Sequence, residues 1–74
     1  MSRGPTSSRT QAERLAATRA ALLREARALF ATEGYEAAGT EEIVKRAKVT
    51  RGALYHHFRD KRDLFEAVFT EVAG

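Results

Sequence analysis

Seventy-four residues make one small domain, and at that size a single core rarely supplies more than about 3–5 kcal/mol. Cysteine is absent, which excludes disulfides, thiolate metal sites and a cysteine nucleophile, and the apolar runs are too short for a bilayer span or a signal-peptide core. With 43% hydrophobic and 31% charged residues the chain can fold as an ordinary domain, and its net charge of +3 leans mildly toward a polyanionic partner.

In chain order, residues 1–10 read as a flexible basic arm carrying Arg3 and Arg9, because Gly, Pro, Ser and Thr crowd there with no apolar side chain after Met1. A first helix is predicted from Gln11 to about Glu33, a stretch of strong helix formers. Leu15, Leu22, Leu23, Ala26, Leu29 and Phe30 return to one face at the 3.6-residue period. Gly34 can then take the positive φ that ends a helix. Thr40 opens a second helix as N-cap, with Glu41 and Glu42 suiting the positive end of the dipole. Ile43, Val44 and Ala47 give it about two turns of apolar face. Lys48-Val49 makes a tight connection, Thr50 caps a third helix from Arg51 to about Phe58, and Leu54 and Phe58 face inward. Asp60 caps a fourth helix over about 61–72, with Asp63 in capping-box position and a stripe of Leu64, Phe65, Val68, Phe69 and Val72. The fold class expected is all-α: a three-helix bundle containing a helix-turn-helix, plus the start of a fourth helix.

Two short helices joined by three or four residues and buttressed by a long one meet the physical demands of a helix-turn-helix. Ala47 is small where the helices touch, Val49 plugs the turn, and Leu54 and Phe58 bury one side of the third helix. At about 100° per residue, Gly52, Ala53, His56 and His57 point away from the core, with Tyr55 at the edge. A surface of small residues flanked by hydrogen-bonding and cationic ones suits a major groove, since bulk would hold the helix off the base edges.

Leu29-Phe30-x-x-x-Gly34-Tyr35, Thr40-x-x-Ile43 and the run from Val49 through Tyr55, His56, His57 and Phe58 to Asp60-Lys61 resemble the DNA-binding domain of the tetracycline-repressor (TetR) family, over roughly residues 12–72. The resemblance implies a transcriptional regulator in the cytoplasm that binds a double-stranded DNA operator. It implies a ligand-released repressor, dimeric through a separate C-terminal ligand-binding domain that also takes a small-molecule inducer and is absent from this chain. Thr40 resembles a phosphate-binding threonine. Thr50 and Arg51 match positions that reach phosphate or base, and Gly52 and Ala53 match positions of close backbone or methyl contact. Tyr55 resembles a tyrosine whose hydroxyl binds phosphate. His56 and His57 match groove or phosphate positions, and Lys61 resembles a phosphate-binding lysine.

Two departures stand out. Lys48 occupies a turn position where the family usually has glycine, at about 1–2 kcal/mol if that residue is left-handed. Glu41 stands where some members touch DNA, and a carboxylate there would repel the backbone, so it is left outside the contact set.

His56-His57 diverge too far on a helix to chelate one ion, and no carboxylate completes a metal site. Tyr55 can pack its ring while its hydroxyl faces out. Arg14, Arg19, Arg24 and Arg27 read as a solvated face. Residues 1–30 hold six arginines against Glu13 and Glu25, so the arm suits a minor-groove or phosphate tether. No nucleophile–base pair, carboxylate dyad or phosphate-cradling glycine loop is present, so neither an enzyme nor a cofactor is expected, nor a membrane partner. The competing reading is a helical protein-interaction module that retains the helix-turn-helix core without binding DNA.

Overall fold

The computed structural model describes residues 10–73, with side-chain surroundings for residues 10–70. Residues 1–9 of the basic arm expected over 1–10, and the side chain of Val72 in the fourth helix's stripe, lie outside those described. The described residues form four helices: α1 (Gln11–Glu33), α2 (Thr40–Ala47), α3 (Arg51–His57) and α4 (Lys61–Ala73).

Helix α1 starts at Gln11, as expected, but its cap is drawn from the stretch read as an arm. Thr10 is its N-cap: the Glu13 N–H donates to Thr10 Oγ1 at 3.1 Å, and the Thr10 N–H donates to Glu13 Oε1 at 3.2 Å. That reciprocal pair satisfies two of the four orphan donors of the first turn. The other end falls at Gly34, whose φ of 88° takes the chain out of the helix while its N–H still reaches the Phe30 carbonyl at 3.0 Å. In between, Leu22, Ala26 and Leu29 are buried, while the first turns are mostly exposed.

Ile43 of α2, Leu54 of α3, Phe58, and Leu64 and Val68 of α4 close on that α1 stripe together with Ala38 from the connecting loop. No polar or charged residue is buried among those described, so the core holds by apolar burial alone, at about 25 cal/mol per Å². Helices α2 and α4 lie against α1, and the short α3 is held between α1 and α2. Seven residues cannot sustain a helix by propensity, so α3 exists because Leu54 and Phe58 have somewhere to go. It ends at His57 rather than Phe58, because Phe58 turns to extended dihedrals (φ −134°, ψ 140°) as its ring enters the core.

The α2–α3 turn is left-handed at a residue other than glycine. Lys48 has φ 60° and ψ 44° and is the one such position among the described residues. Its N–H donates to the Lys45 carbonyl at 3.2 Å, and the following Val49 N–H reaches back to Val44 at 3.0 Å. These bonds satisfy the last carbonyls of α2 in the manner of a Schellman ending. The α4 cap is also a variation on the expected one. Asp60 Oδ1 accepts from the Asp63 N–H at 2.8 Å, but the Asp63 carboxylate reaches the Arg59 N–H (2.9 Å) rather than that of Asp60.

Candidate nucleic-acid interface

Helix α2 presents its N-terminus, and α3 its whole outer side, on one surface. Thr40 is not the cap expected of it. Gly39 is the N-cap, no side chain caps α2, and Thr40 is its first helical residue. The physical reason is register: the Ile43 N–H bonds the Gly39 carbonyl (3.1 Å), so the helix begins one residue earlier than a Thr40 cap requires. Thr40 thereby keeps its hydroxyl off cap duty, next to backbone N–H groups that a helix start leaves without intrahelical acceptors.

Thr50 is the cap it was expected to be. Its Oγ1 accepts from the Ala53 N–H at 3.0 Å, which occupies the oxygen and leaves the hydroxyl hydrogen to donate outward. Arg51, Gly52, Tyr55 and His56 are all exposed, Tyr55 by 45%. Ala53 is half-buried. Gly52 has a feature of its own: a Cβ built there would meet nothing nearer than Thr50 Oγ1 at 3.8 Å. The fold therefore has no need of glycine at this helical position, where it costs about 0.5–1 kcal/mol relative to alanine.

His57 departs from the outward orientation expected of it. It is half-buried, with its ring centroid 6.1 Å from that of Phe58 and 5.1 Å from that of His56. Burial, then the His56 and Arg19 charges, hold its pKa below the ordinary 6.5. It therefore presents a neutral ring at neutral pH. Arg19 likewise is not simply solvated, since its guanidinium lies 4.8 Å above the Phe58 ring, so α1 covers the end of α3 with a cation–π contact.

Lys61 has the most unexpected surroundings. Its ammonium donates to the carbonyls of Tyr35 (2.7 Å), Ala38 (3.1 Å) and Glu36 (3.4 Å) and sits 4.4 Å from the centre of the Tyr35 ring. Three N–H donors meet three carbonyls, and the longest bond is the one an external acceptor would replace at least cost. Sequence reasoning missed this tie because its partners lie 23–26 residues away.

It also missed the partner of Arg51. Glu41 Oε2 pairs with Arg51 Nη2, joining the first turn of α2 to the first residue of α3. The signal was present in outline: the turn brings both helix starts to one surface, and one carries an acid where the other carries a base. Elsewhere, Phe65 meets Phe30, Tyr35 and Phe69 edge-to-face, with Phe30 and Tyr35 tilted against each other, in an aromatic cluster between α1 and α4 beside an apolar groove that leaves Phe69 60% exposed. Among the described residues no helix is long and apolar enough to cross a membrane.

A long buttressing helix, a two-helix unit joined through a left-handed residue, and an exposed polar outer side on the second of the pair define a helix-turn-helix domain. Residues 22–68 match the bacterial regulatory proteins of the tetR family, and the chain belongs to that family. It is 41% identical over 61 residues to the transposon Tn10 TetC protein of Escherichia coli, covering 82% of this chain and 31% of that protein. Against the HTH-type transcriptional regulator AcrR of Shigella flexneri it is 46% identical over 52 residues, 70% of this chain and 24% of AcrR. With the HTH-type transcriptional repressor BepR of Brucella suis it shares 45% identity over 60 residues, 81% of this chain and 28% of BepR. The chain thus spans about a third or less of the length of these relatives.

Proposed function

We propose that this chain is the sequence-specific DNA-reading head of a transcriptional repressor working in the cytoplasm, with α3 inserted in the major groove of a double-stranded operator. Thr40, Thr50, Tyr55 and Lys61 contact phosphates and set the register, while Arg51, Gly52, Ala53 and His56 approach the bases, with the half-buried His57 at the rim. Lys61 reaches a phosphate by giving up its 3.4 Å bond to Glu36. The remainder of a full-length regulator, on this reading, packs over the exposed aromatic side of α4, pairs two heads about 34–36 Å apart to match successive major grooves, and holds the small-molecule site that releases the operator.

The observation that supports DNA contact most directly is Gly52. A glycine on an exposed helical surface, where a methyl group would make only an ordinary contact with Thr50 Oγ1 at 3.8 Å, fits a face that lets a duplex backbone come close. The names of the relatives, transcriptional regulators and repressors, point the same way.

Two measurements test the reading. Titration of the chain with duplex oligonucleotides should move the amide signals of Thr40 and of residues 51–57; signals that stay put while distant surfaces respond overturn it. Gly52→Ala should raise stability by about 0.5–1 kcal/mol and yet weaken duplex binding. A variant that is more stable and binds equally well removes Gly52 from the contact surface.

A further inference from the structure

We propose that Glu41 is a positioning residue for Arg51, fixing the direction of its guanidinium and so the base it reads. The inference rests on the DNA-binding reading above and deepens it. Glu41 Oε2 holds Arg51 Nη2 across the two helices of the helix-turn-helix, and both side chains are exposed, Glu41 by 73% and Arg51 by 61%. The pair therefore sits on the surface assigned to the duplex rather than beneath it.

Two consequences follow from chemistry. A guanidinium carries five N–H groups in one rigid plane, so holding one nitrogen narrows the directions open to the group and leaves donors for the paired acceptors of a guanine edge. Fewer rotamers then remain to be lost on binding. An arginine already neutralised by a carboxylate also adds little to the sequence-independent pull of the phosphates, because that pull scales with net positive charge brought to the backbone. The carboxylate thus shifts Arg51 from general attraction toward directional reading, and it weakens the hold on wrong sequences.

The test uses the 74-residue chain and a randomised duplex library, followed by titrations on the enriched site and its single-base variants at several salt concentrations. The wild type is expected to prefer guanine at one position, and Arg51→Ala to abolish that preference. Glu41→Ala should cut the same preference at least about five-fold while tightening binding to non-preferred duplexes. Glu41→Gln, whose amide oxygen still accepts from the guanidinium, should retain part of it. On the Arg51→Ala background, Glu41→Ala should leave preference at that position unchanged. The proposal is overturned if Glu41→Ala keeps the full preference, if it alters preference equally without Arg51, or if no enriched position depends on Arg51. A wild-type chain that retains no duplex at all instead overturns the DNA-binding reading itself, while circular dichroism confirms that each variant is folded.

Discussion

The two sides of α3 are held to opposite standards. Leu54 is fully buried, and Phe58, just past the helix end, is 3% exposed, while Tyr55 next door stands 45% exposed and Gly52 is exposed as well. The underside does all the holding, because a seven-residue helix has no stability of its own. The outer side carries almost none of the load: Thr50 bonds the backbone as a cap, and the rest of that side leaves its identity unexplained by packing. The α1–α4 side shows the contrast from another direction, since its exposed Phe69 is apolar and its groove aromatic.

That contrast can be broken first from beneath. Leu54→Ala should cost about 2–5 kcal/mol, a large part of the stability of so small a domain, and urea titration followed by helical signal should find the chain largely unfolded. A loss under about 1 kcal/mol would mean that α3 is not anchored by this side chain. Lys61→Ala comes next, because it bridges the two kinds of surface. Loss of charge-assisted bonds to the 35–38 loop should lower stability by about 1–3 kcal/mol, and the log–log salt slope of duplex binding should fall by about one. Lowered stability with an unchanged slope would assign the ammonium to the loop alone.

Lys48→Gly sharpens the comparison with a gain. Removing a Cβ from φ 60° relieves about 1–2 kcal/mol, partly offset by the freedom glycine adds to the unfolded chain. The net rise should be about 0.5–1 kcal/mol, read as a melting temperature several degrees higher. The smallest effect belongs to His57. Its folded pKa lies below 6.5, so the unfolded chain binds more protons in the window just under that value. The stability this contributes is present above about pH 6.5 and is lost as pH falls toward the folded value. A His57→Gln variant should show a flatter decline than the wild type between about pH 7 and pH 5; equal slopes would mean the ring is not held neutral.

Much of this was legible in the sequence, for local reasons. The α1 stripe, the Gly34 stop, the Thr50 cap and the inward pair Leu54 and Phe58 all depend on residues within one or two turns. The α2 cap was misread by a single position, Thr40 for Gly39, because a threonine near a helix start looks alike whether it is the last residue outside or the first inside, and the Thr10 cap was hidden in a stretch read as an arm. The Lys48 conformation was visible as a condition, and the structure meets it. Hidden from the sequence were the Lys61 carbonyls, the Glu41–Arg51 pair, and the Arg19–Phe58 and His57 contacts. Each joins side chains from different elements, and a period along one helix carries no information about what another helix places beside it.

The segment between α1 and α2 has no regular structure, yet it is secured at both ends. Tyr35 packs its ring against Phe30 and edge-to-face on Phe65, and Lys61 draws the Tyr35 and Ala38 carbonyls to the start of α4. Such a segment behaves as a strut and not as a hinge. The opening turns of α2 and α4 are therefore yoked, and amide exchange in the two should slow or quicken together.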